Sequence, residues 1–260
     1  LPNDQYNPVK YDSVNRVIPR CSEFMVMGGY DSTVVTITPR AFTKGLKQEG
    51  NTYAVTLNKG ECYLVQSYPY PRGSADLTGS IVKSNKPVGV LSGHVRTALL
   101  QGFTTEPPDT KDHICEMLMP ANAWGKSFIS VPFGTSPNKG DYFKATSLDT
   151  NAILSVNIKG NVQNLKFNNP ARATVLNGLN EPAFWASSHP VQLAQFMLRT
   201  DDSLENIYYD PAMVILPPVE QFVSRVTFMS PGNQFKDLDK YNGHFVTIIA
   251  DNNSLSTLKM

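Results

Sequence analysis

Two histidines and two acidic residues with side chains suited to metal binding lie close together near the middle of the chain. They are His94, Asp112, His113 and Glu116. Imidazole nitrogens and carboxylate oxygens are common zinc ligands, and His113 and Glu116 would share one face of a helical turn. Their spacing differs from the HExxH motif of metalloproteases. The set predicts a structural metal ion or a metal-dependent hydrolase, unless the two histidines simply bond to the backbone or to Asp112.

The three cysteines offer a second kind of chemistry. Cys21, Cys62 and Cys115 are too few for a disulfide scaffold, and their spacing is not that of a metal site. In a secreted protein we expect one disulfide, Cys21 to Cys62, because both residues fall near strands of the first part of the chain. The alternative is three reduced thiols in the core. Asn252 is the acceptor of an N-glycosylation sequon.

Aromatic loop residues offer a third kind of site. Trp124, and Tyr68 with Tyr70, lie in turn-rich segments where a ring can contact a sugar or a protein. Alternatively, Trp124 plugs the base of a sandwich and the two tyrosines belong to an ordered connection. These rings make a carbohydrate-binding sandwich a further possibility. The sequence has no GxSxG elbow, no phosphate loop and no GxGxxG motif, and we predict no enzymatic activity.

Bulk composition excludes several classes of protein. A net charge of +1, with 17% charged residues, gives no basic surface for nucleic acid or anionic membranes. No apolar run approaches the ~18 residues that a membrane-spanning helix needs. The chain starts at Leu1 without a charged and then apolar leader, so we expect a mature form or a fragment.

The elements that must position these residues are short strands. Apolar or alternating runs recur along the chain and are bounded by Gly, Pro and Asn turns. Examples are Thr33–Thr38, Tyr53–Leu57 and Cys62–Gln66. Leu57–Glu61 predicts a hairpin with Gly60 at positive φ, and only Ile114–Met119 and Val219–Phe222 suggest a turn of helix. The pattern predicts an all-β fold of tandem, jelly-roll-like β-sandwich modules with minimal helix.

A weak repeat relates three parts of the chain. Phe24, Phe143 and Phe245 each begin a similar apolar segment, at intervals of about 100 residues, which is the size of one sandwich module. We predict a first module over 1–111, a second over 112–209, and an incomplete third module or closing strands over 210–260. The predicted strands of the last part are Val223–Met229, Phe245–Ala250 and Ser256–Met260.

The stretch Asp76–His94 predicts a buried strand pair. Its strands are Ser80–Val82 and Val88–Leu91, and Pro87 ends the polar turn between them. In the register of the repeat, this stretch closes the first module and leads His94 towards the junction with the second. We therefore expect it to form the hinge between two modules.

Several segments resemble the N-terminal domain family of the IgGFc-binding protein. The segments that carry the resemblance are Asp76–Ser80, Ser84–His94, Asp112–Pro120, Trp124–Phe128, Tyr209–Pro211 and Met213–Pro217. It spans roughly Phe24 to Pro231 and implies an extracellular or cell-surface β-rich domain of adhesion, mucus or matrix assembly, without enzymatic activity. It transfers no ligand residue and no Fc binding. The family's human member is richer in cysteine, which puts disulfide cross-linking in doubt.

Together these observations predict a non-catalytic extracellular structural or adhesion module. Its expected partners are other proteins or neighbouring copies of itself, with glycans as an alternative, and we expect no nucleic acid, membrane span or cofactor. Loops at the ends of sandwiches commonly carry binding. We expect contacts through Thr38–Asn51, Pro69–Asp76 and Gln101–Asp112.

Overall fold

The computed structural model is composed mainly of antiparallel strands. It describes residues 9–11, 17–19, 21–68, 76–97, 112–133, 140–167, 173–197, 200–202, 207–209, 211–227 and 246–257. Within these ranges there is no α-helix, in agreement with the predicted all-β class. The chain divides into a compact unit, Leu1–Glu220, and a smaller unit, Gln221–Met260.

All of the described strands belong to the larger unit. They are β1 (Val9–Tyr11), β2 (Val17–Pro19), β3 (Ser22–Gly28), β4 (Thr33–Thr38), β5 (Tyr53–Leu57), β6 (Cys62–Gln66), β7 (Ile81–Ser84), β8 (Val88–Thr97), β9 (Asp112–Met117), β10 (Gly125–Ser130), β11 (Asp141–Ser147), β12 (Ile153–Ile158), β13 (Asn161–Lys166), β14 (Ala173–Leu179), β15 (Ala183–Met197), β16 (Thr200–Asp202), β17 (Ile207–Tyr209) and β18 (Ala212–Leu216). Short 3₁₀ helices cover Ala121–Ala123, Val219–Gln221 and Asn252–Thr257.

The first sandwich consists of two facing antiparallel sheets. One has the strand order β6-β3-β8-β9 and the other β5-β4-β7. Alternate residues of both sheets point inward and form one core cluster, because successive side chains of a strand lie on opposite faces. Phe24 and Val26 from β3 pack there with Val35 and Ile37 from β4, all at most 5% exposed.

Connections in this sandwich cross between the sheets. Gly60 has φ 80°, as the sequence predicted. However, β5 pairs with β4 and β6 pairs with β3, so the predicted β5–β6 hairpin is wrong. The turn between β7 and β8 likewise joins strands of different sheets. A turn sequence reverses the chain locally, but the wider packing decides which neighbour each strand pairs with.

The second sandwich is one seven-stranded sheet that folds over its own core. The long strand β15 belongs to both layers: its first half pairs with β10 and β12, and its second half pairs with β11 and β18. Strands β13 and β14 complete the two layers. Phe128, Phe143 and Trp185 fill the core at 2% exposure or less. The buried Trp185 indole N–H donates to Ser130 Oγ at 2.9 Å.

The two sandwiches share one strand order, except that β10 of the second has no counterpart among the described strands of the first. The sheet β6-β3-β8-β9 corresponds to the layer β14-β11-β15-β18, and β5-β4-β7 corresponds to β13-β12-β15. Phe24 and Phe143, which the repeat aligned, are both buried on central strands. In the first sandwich β7 and β8 are separate strands, whereas β15 supplies both in the second.

Several local predictions fail. Residues 114–117, expected to begin a helical turn, belong to strand β9, because β8 offers a partner edge. Residues 223–227 and 246–250 form no strand, and 252–257 form a 3₁₀ helix instead. Apolar alternation alone makes no strand without a neighbouring edge. The helical turn expected near Val219 is confirmed as a 3₁₀ helix.

The predicted division into 1–111, 112–209 and 210–260 stays a prediction. The pairings that bear on its boundaries are those of β9 with β8 and of β18 with β15. Both strands extend a sheet whose other strands precede them in the sequence.

Candidate interaction surface

The two histidines of the predicted metal site are not brought together. His94 lies on β8, is 3% exposed, and pairs with Ile114. Its Nδ1 accepts the backbone N–H of Arg96 at 3.2 Å. Residues directly opposite in a ladder share a face, so His94 faces the same side as Ile114 and the opposite side from His113.

Of the other members of the set, Glu116 faces the same side of the sheet as His94, whereas His113 faces the opposite side. His113 is exposed, and its Nε2 lies 3.5 Å from Glu23 Oε1. Glu116 is half-buried opposite Ser92, and burial raises its pKa. The side chain of Asp112 lies outside the described residues. In the described part of the chain, no group of three or more His, Cys, Asp or Glu side chains is arranged to hold a metal ion.

The predicted Cys21–Cys62 disulfide is not formed. Cys62 pairs with Met27 at one end of β3, whereas Cys21 precedes the other end. Six residues of strand separate them by about 20 Å, far beyond the ~7 Å between Cα atoms that a disulfide tolerates. All three thiols are free. Cys21 is buried, and the alternative of three core thiols fails because Cys62 and Cys115 are exposed.

The aromatic candidates are partly engaged within the fold. Trp124 is half-buried, and its indole N–H donates to the Met119 carbonyl oxygen at 3.0 Å. Tyr68 is 41% exposed and packs on Phe42 with ring centroids 5.3 Å apart. Tyr70 and most of the loops before β7 and β9 lie outside the described residues. The Asn252 side chain is exposed at the start of a 3₁₀ helix.

The outer face of the sheet β6-β3-β8-β9 is apolar and exposed. We call it the methionine face. Its members are Met25, Met27, Cys62, Leu64, Gly89, Leu91, Cys115 and Met117. Leu64 is 52% exposed, Met117 51% and Met27 37%, whereas Met25 and Leu91 are half-buried. An apolar patch rimmed by polar groups is typical of a protein interaction site.

Gly89 lies between two methionines of the methionine face, in the row that also contains Cys62 and Met27. A Cβ atom at this position would lie 3.5 Å from Met27 Cε and 3.9 Å from Met117 Sδ. The two flexible thioether side chains therefore converge over a strand that carries no side chain there. Methionine adapts its shape to a partner more readily than branched residues, which suits a contact surface.

A polar border runs along one end of the methionine face. Lys44 Nζ donates to Gln66 Oε1 at 2.9 Å, and Gln66 Nε2 donates to Glu23 Oε2 at 2.7 Å. His113 continues this network on the other side of Glu23. Nearby, burial raises the pKa of the Cys115 thiol, and the charges of Glu23 and Glu116 raise it further. A raised pKa lowers the fraction of the thiol that is present as thiolate.

A second, mainly apolar sheet face lies on the layer β14-β11-β15-β18, and its part on β15 and β18 is covered. Ile114 from β9 of the first sandwich packs there with Ala194, Phe196 and Met213. Each of these four residues is at most 9% exposed. The face therefore forms the junction between the two sandwiches.

A buried ion pair accompanies this junction. Lys144, 7% exposed on β11, donates to Asp76 Oδ2 at 2.6 Å and to Thr78 Oγ1 at 2.8 Å. Burial raises the pKa of Asp76, but charged and hydrogen-bonding neighbours that include Lys144 and Thr78 outweigh it and hold that pKa well below its usual range. Burial and the Asp76 charge raise the pKa of Tyr142 to about 12.

The sequence predicted contacts through loops and did not single out the methionine face. A signal was present in the alternation of β3, where Met25 and Met27 occupy the positions opposite to Phe24 and Val26. Both sets are apolar, so alternation alone does not tell the inner set from the outer one. The strand Val88–Leu91, predicted as a continuous apolar run, has the same ambiguity.

Fold and surface together define an all-β protein of two packed sandwiches with an exposed apolar sheet face. Sequence comparison identifies the family: residues 3–259 match the IgGFc binding protein family, and the chain belongs to it. The expected family resemblance is thereby confirmed. Human IgGFc-binding protein is 33% identical over 122 residues, which are 46% of this chain and 2% of that protein.

This chain therefore spans only a small part of that relative's length. No solved structure matches the chain with comparable significance. Among the described residues, no helix is both long and apolar enough to cross a membrane.

Proposed function

We propose that this chain is an extracellular, non-catalytic protein-binding module of the adhesion or matrix-assembly type. The observation that carries the proposal is the methionine face, an exposed apolar sheet surface with a mixed polar border. The proposed occupant is a protein surface with apolar side chains at its centre. The printed name of the human relative, IgGFc-binding protein, also refers to a protein partner.

The chemistry of the methionine face supports binding rather than catalysis. Its thioether and aliphatic side chains contribute buried area, about 25 cal/mol for each Å² removed from water. The border offers both signs of charge, with Lys44 at one end and Glu23 near the centre, and thus supports orientation of a partner. A purely apolar centre with a polar rim is the usual anatomy of a protein interface.

We also propose that the two sandwiches are tandem copies of one module. Their common strand order and the aligned positions of Phe24 and Phe143 support this view. The metal-dependent and carbohydrate-binding alternatives have no comparable support among the described residues, where His94 and His113 lie on opposite faces. Extracellular localisation is part of the proposal and follows the expectation for this family.

Binding measurements on an immobilised chain test the proposal. The two soluble probes are human IgG Fc fragment and the chain itself. We expect at least one to bind, and we expect Leu64→Glu or Met117→Glu to weaken that binding about tenfold or more, the effect of losing a central apolar anchor. Val162→Glu is the matched control, because Val162 is 61% exposed on β13 of the other sandwich. Binding that survives both face variants, or no binding of either probe, would overturn the proposal.

A further inference from the structure

Strand β6 forms one edge of the sheet β6-β3-β8-β9, and half of its backbone groups point away from that sheet. In an antiparallel ladder, successive residues of a strand direct their N–H and C=O groups to alternate sides. On the side of β3, the N–H of Ser67 donates to the carbonyl oxygen of Ser22 at 2.9 Å. The odd-numbered residues of this stretch therefore bond to β3, whereas Cys62 and Leu64 direct their backbone groups outward.

A segment of the same chain already pairs with one end of this edge. It belongs to the connection between β4 and β5. Lys44 N–H donates to the Gln66 carbonyl oxygen at 2.9 Å, and Tyr68 N–H donates to the Phe42 carbonyl oxygen at 2.7 Å. Residue 43 forms an antiparallel bridge between these two bonds. The outward groups of β6 are thus able to bind an added extended segment.

The other end of the edge has no such segment. Among the described residues, no backbone group bonds to the outward N–H and C=O groups of Cys62 and Leu64. An open strand edge of this kind is a template for pairing with another chain. Only an extended chain presents donors and acceptors at the spacing of a strand.

A groove runs beside this open end, between the edges of the two sheets. Tyr63 of β6 and Tyr53 of β5 meet there edge to face, with ring centroids 6.3 Å apart. Lys44 and Gly45, where the paired segment stops, line the groove together with Leu64. The groove therefore lies where side chains of a further strand on β6 would point.

Two lysines make the groove suitable for a negatively charged side chain. Lys47 Nζ lies 4.9 Å from the centroid of the Tyr53 ring. Lys44 Nζ donates one hydrogen bond, to Gln66 Oε1, and an ammonium group has three donors. Glu23, on the neighbouring strand β3, is bound by Gln66 Nε2 at 2.7 Å. A carboxylate in the groove would form charge-assisted hydrogen bonds.

We propose that β6 binds an extended peptide segment of a protein partner as an additional strand, with an acidic side chain of that segment in the groove. Bonds to the backbone of Cys62 and Leu64 supply affinity, and the groove supplies specificity. Alternate side chains of the peptide lie beside Leu64 and towards the groove. This inference rests on the proposed function, binding of a protein, and names the form in which the partner is bound.

Fluorescence anisotropy with a labelled synthetic peptide tests the inference. The probe has about eight residues and blocked ends, alternates valine with threonine, and carries one central glutamate. We expect saturable binding. The same peptide with N-methylated backbone amides, or with lysine in place of glutamate, should bind about tenfold or more weakly. No binding of the probe, or equal binding of the N-methylated peptide, would overturn the inference.

Variants of the chain test the backbone and the charge separately. Leu64→Pro removes the outward N–H, and proline is tolerated at an edge where that group faces solvent. It should bind the probe about tenfold more weakly than Leu64→Ala, which keeps the N–H, and thermal melting checks that both fold. Lys44→Glu should also weaken binding about tenfold, whereas Lys166→Glu on β13 should not. If Lys44→Glu binds as the wild type does, the acidic side chain is not in the groove.

Hydrogen exchange separates strand addition from contact with the methionine face. The bound probe should slow exchange of the Cys62 and Leu64 amides severalfold, and change little at Tyr63 and Val65, whose amides face β3. Binding without this alternation would rule out strand addition. The same protection in concentrated chain alone would assign the edge to a second copy instead. If Fc fragment or the chain binds while the probe does not, this inference fails and the proposed function stands.

Discussion

The methionine face and its counterpart on the layer β14-β11-β15-β18, which we call the junction face, belong to two similar sandwiches. The methionine face is exposed, whereas the junction face is covered on β15 and β18, although Val175 at its β14 edge is 38% exposed. Leu64 and Met117 are 52% and 51% exposed, whereas Ala194 and Met213 are each 9% exposed. Both faces are mainly apolar, although Lys144 lies on the covered one, so hydrophobicity alone does not explain the difference. What differs is the neighbour: β9 of the first sandwich covers the junction face. An apolar sheet face contributes to stability only where another element removes it from water.

The largest expected effect comes from truncating the covered face. Phe196 is 1% exposed and packs against Tyr142 with ring centroids 5.6 Å apart. We expect Phe196→Ala to lower the free energy of unfolding by about 3–5 kcal/mol, because it removes buried area and leaves a cavity. Denaturant unfolding measures the loss. Leu64→Ala is the control on the exposed face and should change stability by about 0.5 kcal/mol or less. Equal losses would contradict the distinction between the faces.

The next effect concerns the buried ion pair at the junction. Lys144→Met leaves the Asp76 carboxylate without its ammonium partner, and we expect a loss of about 3 kcal/mol in unfolding free energy. Lys159→Met breaks the pair with Glu181, whose side chains are 69% and 39% exposed, and should cost less than about 1 kcal/mol. Both variants replace a lysine of the second sandwich: Lys144 lies on β11, and Lys159 lies in the turn between β12 and β13. If the two variants lose the same amount of unfolding free energy, the Lys144–Asp76 pair is worth no more than an exposed pair.

Lowering the pH should reduce the stability of the junction between the two sandwiches more than that of the methionine face. The pKa of Asp76 is lowered in the folded state, so its contribution is present above the unfolded pKa, near 4, and is lost as pH falls towards the folded pKa. We expect a loss of roughly 2 kcal/mol below about pH 4. The raised pKa values of Glu116 and Asp141 act in the opposite direction.

Comparison with Asp76→Asn isolates this contribution from the other carboxyl groups. Unfolding free energies of both proteins are measured from neutral pH to pH 2. The variant should be less stable at neutral pH, and the difference between the proteins should shrink as pH falls. A difference that stays constant throughout would show that Asp76 is not the group responsible.

The smallest stability effect is expected on the methionine face itself. Leu64→Glu and Met117→Glu place a charge where the side chain is already half exposed, and should change unfolding free energy by less than about 1 kcal/mol. Their effect on binding at the methionine face should be large by comparison. Thermal melting and sedimentation on the same samples measure both. Variants that unfold rather than dissociate would indicate that this face is structural.

Much of the fold could be predicted from local patterns. The bounds of β4, β5 and β6 match the predicted strands because apolar alternation and turn residues are local signals. Strand β9 was mistaken for a helical turn, since a short apolar run has no distinct period. The candidate metal site stays a prediction, but the structure separates its two histidines for a related reason. The chain order of His94 and His113 does not reveal that β8 and β9 pair with His94 opposite Ile114.

By itself, the sequence determined the all-β class, the positions of most strands and the family. Each depends on residues that are near one another in the chain or on motifs that can be compared directly. The tertiary structure alone decided the pairing of strands, the absence of a Cys21–Cys62 bridge, and the covering of one apolar face but not its counterpart. These properties depend on contacts between distant residues. In particular, the methionine face and the junction face are both mainly apolar, and contacts between distant residues decide that Ile114 of β9 packs against the second and not the first.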